Sequence, residues 1–133
     1  MLVTPLYAGL LTLWFLVLSV SVVTLPEGGI IVGEHGDVDT IRVVRARANF
    51  AEYVPLALLL MGFLEVSRYS IYLLHALGLI LLVARLLHGC ALSFGWHVRA
   101  WRAAGAVLTF IVLLTEAILC LYQGFIAQRA WLQ

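Results

Sequence analysis

Four long apolar runs constrain this chain more than any other feature. Leu6 to Leu25 contains no charged residue. A second run starts polar and turns apolar as far as about Leu64, a third extends from Ile71 to about Phe94, and a fourth from Ala103 to Ala127. An α-helix needs about 20 apolar residues to cross the hydrocarbon core of a bilayer. Inside that core each backbone polar group has to be satisfied by protein, which leaves helices and closed barrels as the spanning structures. Runs of this length read as helices. The composition agrees: 64% of the 133 residues are hydrophobic and 11% charged, where a soluble domain is about half apolar and about a quarter charged. The sequence predicts an all-α integral membrane protein, a single domain of four spans at about 6–25, 42–64, 71–94 and 103–127.

The connections set the orientation. Pro26, Gly28, Gly29, Gly33 and Gly36, mixed with Glu27, Glu34, Asp37 and Asp39, read as a polar loop after the first run. Asp39 or Thr40 can cap the second helix. Glu65, Ser67 and Arg68 mark a short turn, and Gly95 to Arg102 a second short connection. Arg42, Arg45, Arg47, Arg99 and Arg102 lie near the first and third connections, against Arg68 and Arg129 on the other side. The bias of cytoplasmic loops toward arginine and lysine places those two connections in the cytoplasm and both termini on the non-cytoplasmic side. Tyr69, Tyr72, Trp96, Trp101 and Trp131 fall near the predicted span ends, as an aromatic belt does.

Several function classes drop out. The eight cations are all arginine and face seven acids, for a net charge of +1. Nucleic-acid binding wants a basic patch, and none is present, so no nucleic-acid partner is expected. Cys90 and Cys120 both lie in apolar runs and read as buried small side chains, since a disulfide framework or metal site needs more cysteines or a tighter spacing. The first run has no basic segment before it and no small-residue cleavage site after it, so a retained helix is expected rather than a signal peptide.

The polar residues at the start of the second run, "RARANFAEYVP" from Arg45 to Pro55, are expensive beside lipid. At about 100° per residue, with Arg42 at 0°, Arg45 falls at roughly 300°, Asn49 at 340°, Glu52 at 280° and Tyr53 at 20°. These five share one arc, and Arg47 lies well off it. The stripe should face the bundle or another subunit. Pro55 cannot donate to the carbonyl of Ala51, so a kink is expected below the stripe.

On the third helix Arg85 and His88 are one turn apart and share a face. Arg85 lies too deep for easy snorkelling and calls for an anionic partner, with Glu52 the natural candidate. Such a pair either serves a function or only fixes helix packing. His75 lies about 20 Å from His88 along the same helix, so the two cannot ligate one metal or one haem. Neither cofactor is expected, and His75 reads as a polar or packed residue. Glu116 is alone in the fourth helix. It is expected to hydrogen-bond a neighbouring helix, with a proton-carrying role the alternative.

These residues resemble the family of membrane-associated proteins in eicosanoid and glutathione metabolism (MAPEG). The likeness rests on "RARANFAEYVPLALLL" in the second helix and "ARLLHG" in the third, with an arginine-containing connection after it. Chain length, four spans and the long first connection also fit. The resemblance implies a homotrimer of four-helix protomers, with glutathione as co-substrate held between neighbouring subunits at the cytoplasmic end of the membrane. Carried over, Arg45, Asn49, Glu52 and Tyr53 would hold glutathione, with Arg42 on the same face. Arg85 would join them or pair with Glu52 beneath. Arginine suits a carboxylate, glutamate an ammonium, and asparagine both donates and accepts. Family chemistry is attack by the glutathione thiolate on a lipophilic electrophile or hydroperoxide. A nearby cation favours the thiolate. In the family that cation is an arginine near the start of the fourth helix, and here Arg99 and Arg102 compete for the place. Where some members carry site-lining tyrosines in the third helix, this chain has His88 and Leu92.

The resemblance thus implies a bilayer-embedded, glutathione-dependent transferase or peroxidase for small lipophilic substrates. Two other readings stand beside it. One is a small proton-coupled four-helix transporter using Glu52 or Glu116. The other is a non-catalytic MAPEG-like membrane protein.

Overall fold

The computed structural model describes the backbone of residues 2–24, 38–93 and 99–131 and the side chains of residues 2–24, 41–91 and 100–128. The described residues form four helices: α1 (Val3–Val23), α2 (Val38–Val66), α3 (Ile71–Ser93) and α4 (Arg99–Trp131). Each contains a stretch long and apolar enough to cross a membrane. α4 begins at Arg99, ahead of the apolar run, because a helix needs no apolar side chains once its first turn stands outside the hydrocarbon. α2 runs unbroken through Pro55, whose ring lies on an exposed face.

α2 and α3 pack on each other, and each packs on both α1 and α4. α1 and α4 therefore flank a central pair. The core is apolar and runs the length of the bundle, from Val3, Leu64 and Leu74 at one end to Leu18, Ala46 and Phe50 at the other. Large apolar side chains on α1 and α4, among them Leu13, Leu16, Leu114 and Leu121, face outward as a lipid-exposed surface demands.

α1 is keyed to α3 by two aromatic residues. The Tyr7 ring lies over Gly78, where an added Cβ would come within 2.3 Å of it. The Tyr7 hydroxyl donates to the His75 carbonyl at 3.1 Å, and its oxygen lies 3.2 Å from His75 Nδ1. Two turns on, the Trp14 indole lies over Gly89, with Nε1 donating to the Arg85 carbonyl at 3.1 Å. His75 is thus a packed polar residue.

The turn between α2 and α3 is set by hydrogen bonds. Arg68 N–H donates to the Glu65 carbonyl at 3.0 Å and Tyr69 N–H to the Leu64 carbonyl at 3.1 Å. This is the Schellman pattern, and it puts its hinge residue, Arg68, at φ 61°. The carboxylate of Glu65 then reaches across to α1, accepting from the backbone N–H of Val3 and from that of Thr4 at 2.9 Å. The first N–H groups of a helix have no partner within it, so Glu65 closes α1 from a different segment.

Candidate functional site

The polar stripe of α2 divides along its length. Its inner edge, Asn49 and Tyr53, is half-buried against the bundle, as is Arg42. Its outer edge, Arg45 and Glu52, is exposed on the surface of the protomer. The division follows helix geometry, because the outer pair lies roughly 40–100° further round the helix than the inner pair. Arg47, off the stripe, places its guanidinium 6.0 Å from the Phe15 ring centroid on the α1 side. Phe15 in turn stacks on Phe50, with centroids 5.4 Å apart.

Arg85 is the centre of the arrangement. Only 2% of it is exposed. Its Nη1 donates to Asn49 Oδ1 on α2 at 2.7 Å, and its Nε donates to Thr109 Oγ1 on α4 at 3.1 Å. The guanidinium carbon lies 5.8 Å from the Tyr53 ring centroid. Tyr53 meets Phe110 of α4 edge to face at 5.4 Å. With its carbonyl held by Trp14 of α1, Arg85 of α3 is bonded to each of the other three helices. The expected pair with Glu52 is not formed within the chain. Arg85 points toward α4 and takes the inner edge of the stripe, while Glu52 sits on the outer edge and makes no ion pair with a described residue. The partners of this buried cation are neutral.

His88 is 7% exposed, one turn beyond Arg85. Its Cβ packs against Gly105 of α4, where an added Cβ would lie 2.8 Å from it and 2.6 Å from the Ala84 carbonyl. Arg102 is exposed near the start of α4. The side chains of Arg99 and Leu92 lie outside the described residues, so the choice between Arg99 and Arg102 is not made by geometry.

Two further expectations are corrected. Glu116 is fully buried, and neither carboxyl oxygen has a hydrogen-bond partner among the described residues, so it does not bond a neighbouring helix. It faces the apolar interior, one face with Val112, rather than a donor on α2 or α3. Cys90 and Cys120 are half-buried, not buried. Cys120 donates from Sγ to the Leu60 carbonyl at 3.7 Å and borders an open groove of about 570 Å³ between α2 and α4, lined also by Phe63, Leu121 and Phe125.

Thr109 was not singled out by the sequence. Its signal is weak: one hydroxyl in an apolar run, one turn after Gly105 and two turns before Glu116, all on one helix face.

These features define a multi-pass, four-helix membrane protein with a polar site built mainly from its second and third helices. The chain matches the MAPEG family over residues 4–122, and it belongs to that family. It is 33% identical over 115 residues to the inner membrane protein YecN of Escherichia coli strain K12, covering 84% of this chain and 85% of that protein. YecN of Escherichia coli strain CFT073 shows the same identity and coverage. No solved structure matches the chain significantly.

Proposed function

We propose that the chain is a glutathione-dependent transferase or peroxidase of the bilayer, acting on lipophilic electrophiles or hydroperoxides. Glutathione lies between copies of the chain, in a homotrimer, at the cytoplasmic end. The observation that carries this reading is Arg85, a buried guanidinium whose partners, Asn49 and Thr109, are neutral. A buried cation calls for an anion, and glutathione brings two carboxylates. About one turn to either side of Asn49 along α2, Arg45 and Glu52 offer a cation and an anion on an exposed edge within a membrane span. Lipid rejects such an edge, so a second copy and a zwitterionic ligand are its fitting cover. Arg45 and Arg85 take carboxylates, Glu52 the ammonium, and Asn49, Tyr53, Arg42 and His88 frame them.

The bound thiol reacts as its thiolate, favoured by the cation of Arg99 or Arg102. Its sulfur lone pair forms a bond to the electrophilic carbon while the leaving group departs with its electron pair. The lipophilic partner reaches the site through the bilayer.

Titration calorimetry of the protein in detergent micelles with glutathione tests the reading. Binding is expected in the parent and a loss of at least about tenfold, or 1.4 kcal/mol, in Arg45→Ala and in Glu52→Ala. A parent that does not bind, or two variants that bind like it, overturns it. Turnover of an aryl halide then separates a transferase from a family member without catalysis.

The proton-coupled carrier keeps one supporting observation, the carboxyl of Glu116 without a donor. On its face of α4 lie Cys120, one turn on, whose thiol donates to the Leu60 carbonyl, and Thr109, about 10 Å back, whose hydroxyl donates to the Gly105 carbonyl, so both protons are already committed elsewhere.

A further inference from the structure

We propose that Thr109 is a positioning residue, which aims the guanidinium of Arg85 at the bound anion. The inference rests on the reading of Arg85 as an anion-binding group. A threonine within a helix often bonds its hydroxyl to the carbonyl one turn back, and Thr109 does so, donating to Gly105 at 2.8 Å. That bond spends its only proton and turns its lone pairs outward. One of them accepts Nε–H of Arg85 at 3.1 Å. Thr109 is fully buried, so no water competes for the position.

Gly105 brings the two helices together. A Cβ there would lie 2.6 Å from the Ala84 carbonyl, so α3 and α4 meet backbone to backbone one turn from Thr109. The hydroxyl is thereby held against Arg85 by packing as well as by its own bond.

The consequence is directional. A guanidinium carries five N–H groups in a fixed plane. Thr109 takes Nε and Asn49 takes one N–H of Nη1. Two acceptors on two helices fix that plane, and both N–H groups of Nη2, without a partner among the described residues, face the ligand in this reading. Thr109→Val keeps the volume and removes the acceptor, so the guanidinium is no longer held in plane. Thr109→Ser keeps the acceptor.

The test uses the full chain in detergent micelles with nitrogen-15-labelled arginine. Parent and Thr109→Ser are expected to show a slowly exchanging Arg85 Nε–H signal and similar glutathione affinity. Thr109→Val is expected to lose the slow signal and to bind about tenfold more weakly. A Val variant with unchanged signal or unchanged affinity overturns the inference, as does a Ser variant as weak as Val. If the parent binds no glutathione, the functional reading fails on its own. Inorganic sulfate then serves as the anion: the inference holds if sulfate binding weakens in Val and not in Ser, and falls if the parent binds no sulfate or if all three bind it alike.

Discussion

Arg85 donates from Nη1 to Asn49 Oδ1 at 2.7 Å, and that bond joins α3 to α2 where the polar stripe turns inward. Asn49→Asp sets a carboxylate in place of the amide oxygen. A charge-assisted bond is roughly twice as strong as a neutral one, so the variant is expected to gain about 1–2 kcal/mol of stability. The same carboxylate satisfies the cation that the ligand would meet, so glutathione affinity is expected to fall by at least about tenfold. Thermal unfolding and calorimetry in the same micelles read the two effects. Opposite signs separate a binding residue from a packing one, since a packing residue moves stability alone.

Glu65 accepts from the first two N–H groups of α1 through both carboxylate oxygens. Glu65→Ala leaves those donors without their partner in a partly buried place. A lost helix cap costs about 0.5–2 kcal/mol, and the loss is expected here near the upper end. The residue lies at the opposite end of α2 from Arg45, so glutathione affinity is expected to stay within about twofold of the parent. A fall in affinity with no fall in the unfolding midpoint would contradict this assignment.

The difference between Asn49 and Glu65 shows what a sequence carries and what it withholds. Apolar run length announces membrane helices, because lipid imposes it on each span separately. The stripe is legible for a similar reason: the helical period places Arg45, Asn49, Glu52 and Tyr53 on one arc and excludes Arg47, which turns to Phe15 instead. Contacts between distant segments have no such local rule. Glu65 reads as a turn residue, and its reach to Val3 exists only once α1 and α2 are side by side. Arg85 announces the need for a partner but not which one. Charge alone suggests Glu52, while the approach of α3 to α4 at Gly105 turns the guanidinium toward Thr109 and Asn49. Glu116 misleads in the other direction, since a lone acid implies a donor that the fold does not bring.

Arg68 holds φ at 61° to close α2, a conformation that suits glycine. A side chain in the left-handed region costs about 1–2 kcal/mol. Arg68→Gly is therefore expected to raise stability by up to about 1 kcal/mol, after the added freedom of glycine in the unfolded chain is set against the relief. Arg68→Ala keeps the Cβ and is expected to gain nothing. Unfolding midpoints of the two variants decide it, and equal midpoints would show that the backbone strain is not what matters at this turn.

Glu116 has both carboxyl oxygens buried without a partner among the described residues. Burying a polar group with no hydrogen bond costs about 1–3 kcal/mol, and replacing it by an apolar group of similar shape recovers that cost. Glu116→Leu is thus expected to stabilise the protein by about 1–3 kcal/mol, with Glu116→Gln giving little, because an amide in the same place is no better satisfied. The stripe on α2 is untouched by either change, so glutathione affinity is expected to be that of the parent. The same two variants examine the carrier reading. A pH gradient imposed across proteoliposomes containing the parent protein is expected to decay no faster than in empty vesicles. Decay that is fast in the parent and slow in both variants would assign Glu116 to proton movement and displace the glutathione reading as the main activity. A Leu variant less stable than the parent would contradict the cost assigned here to the unpartnered carboxyl.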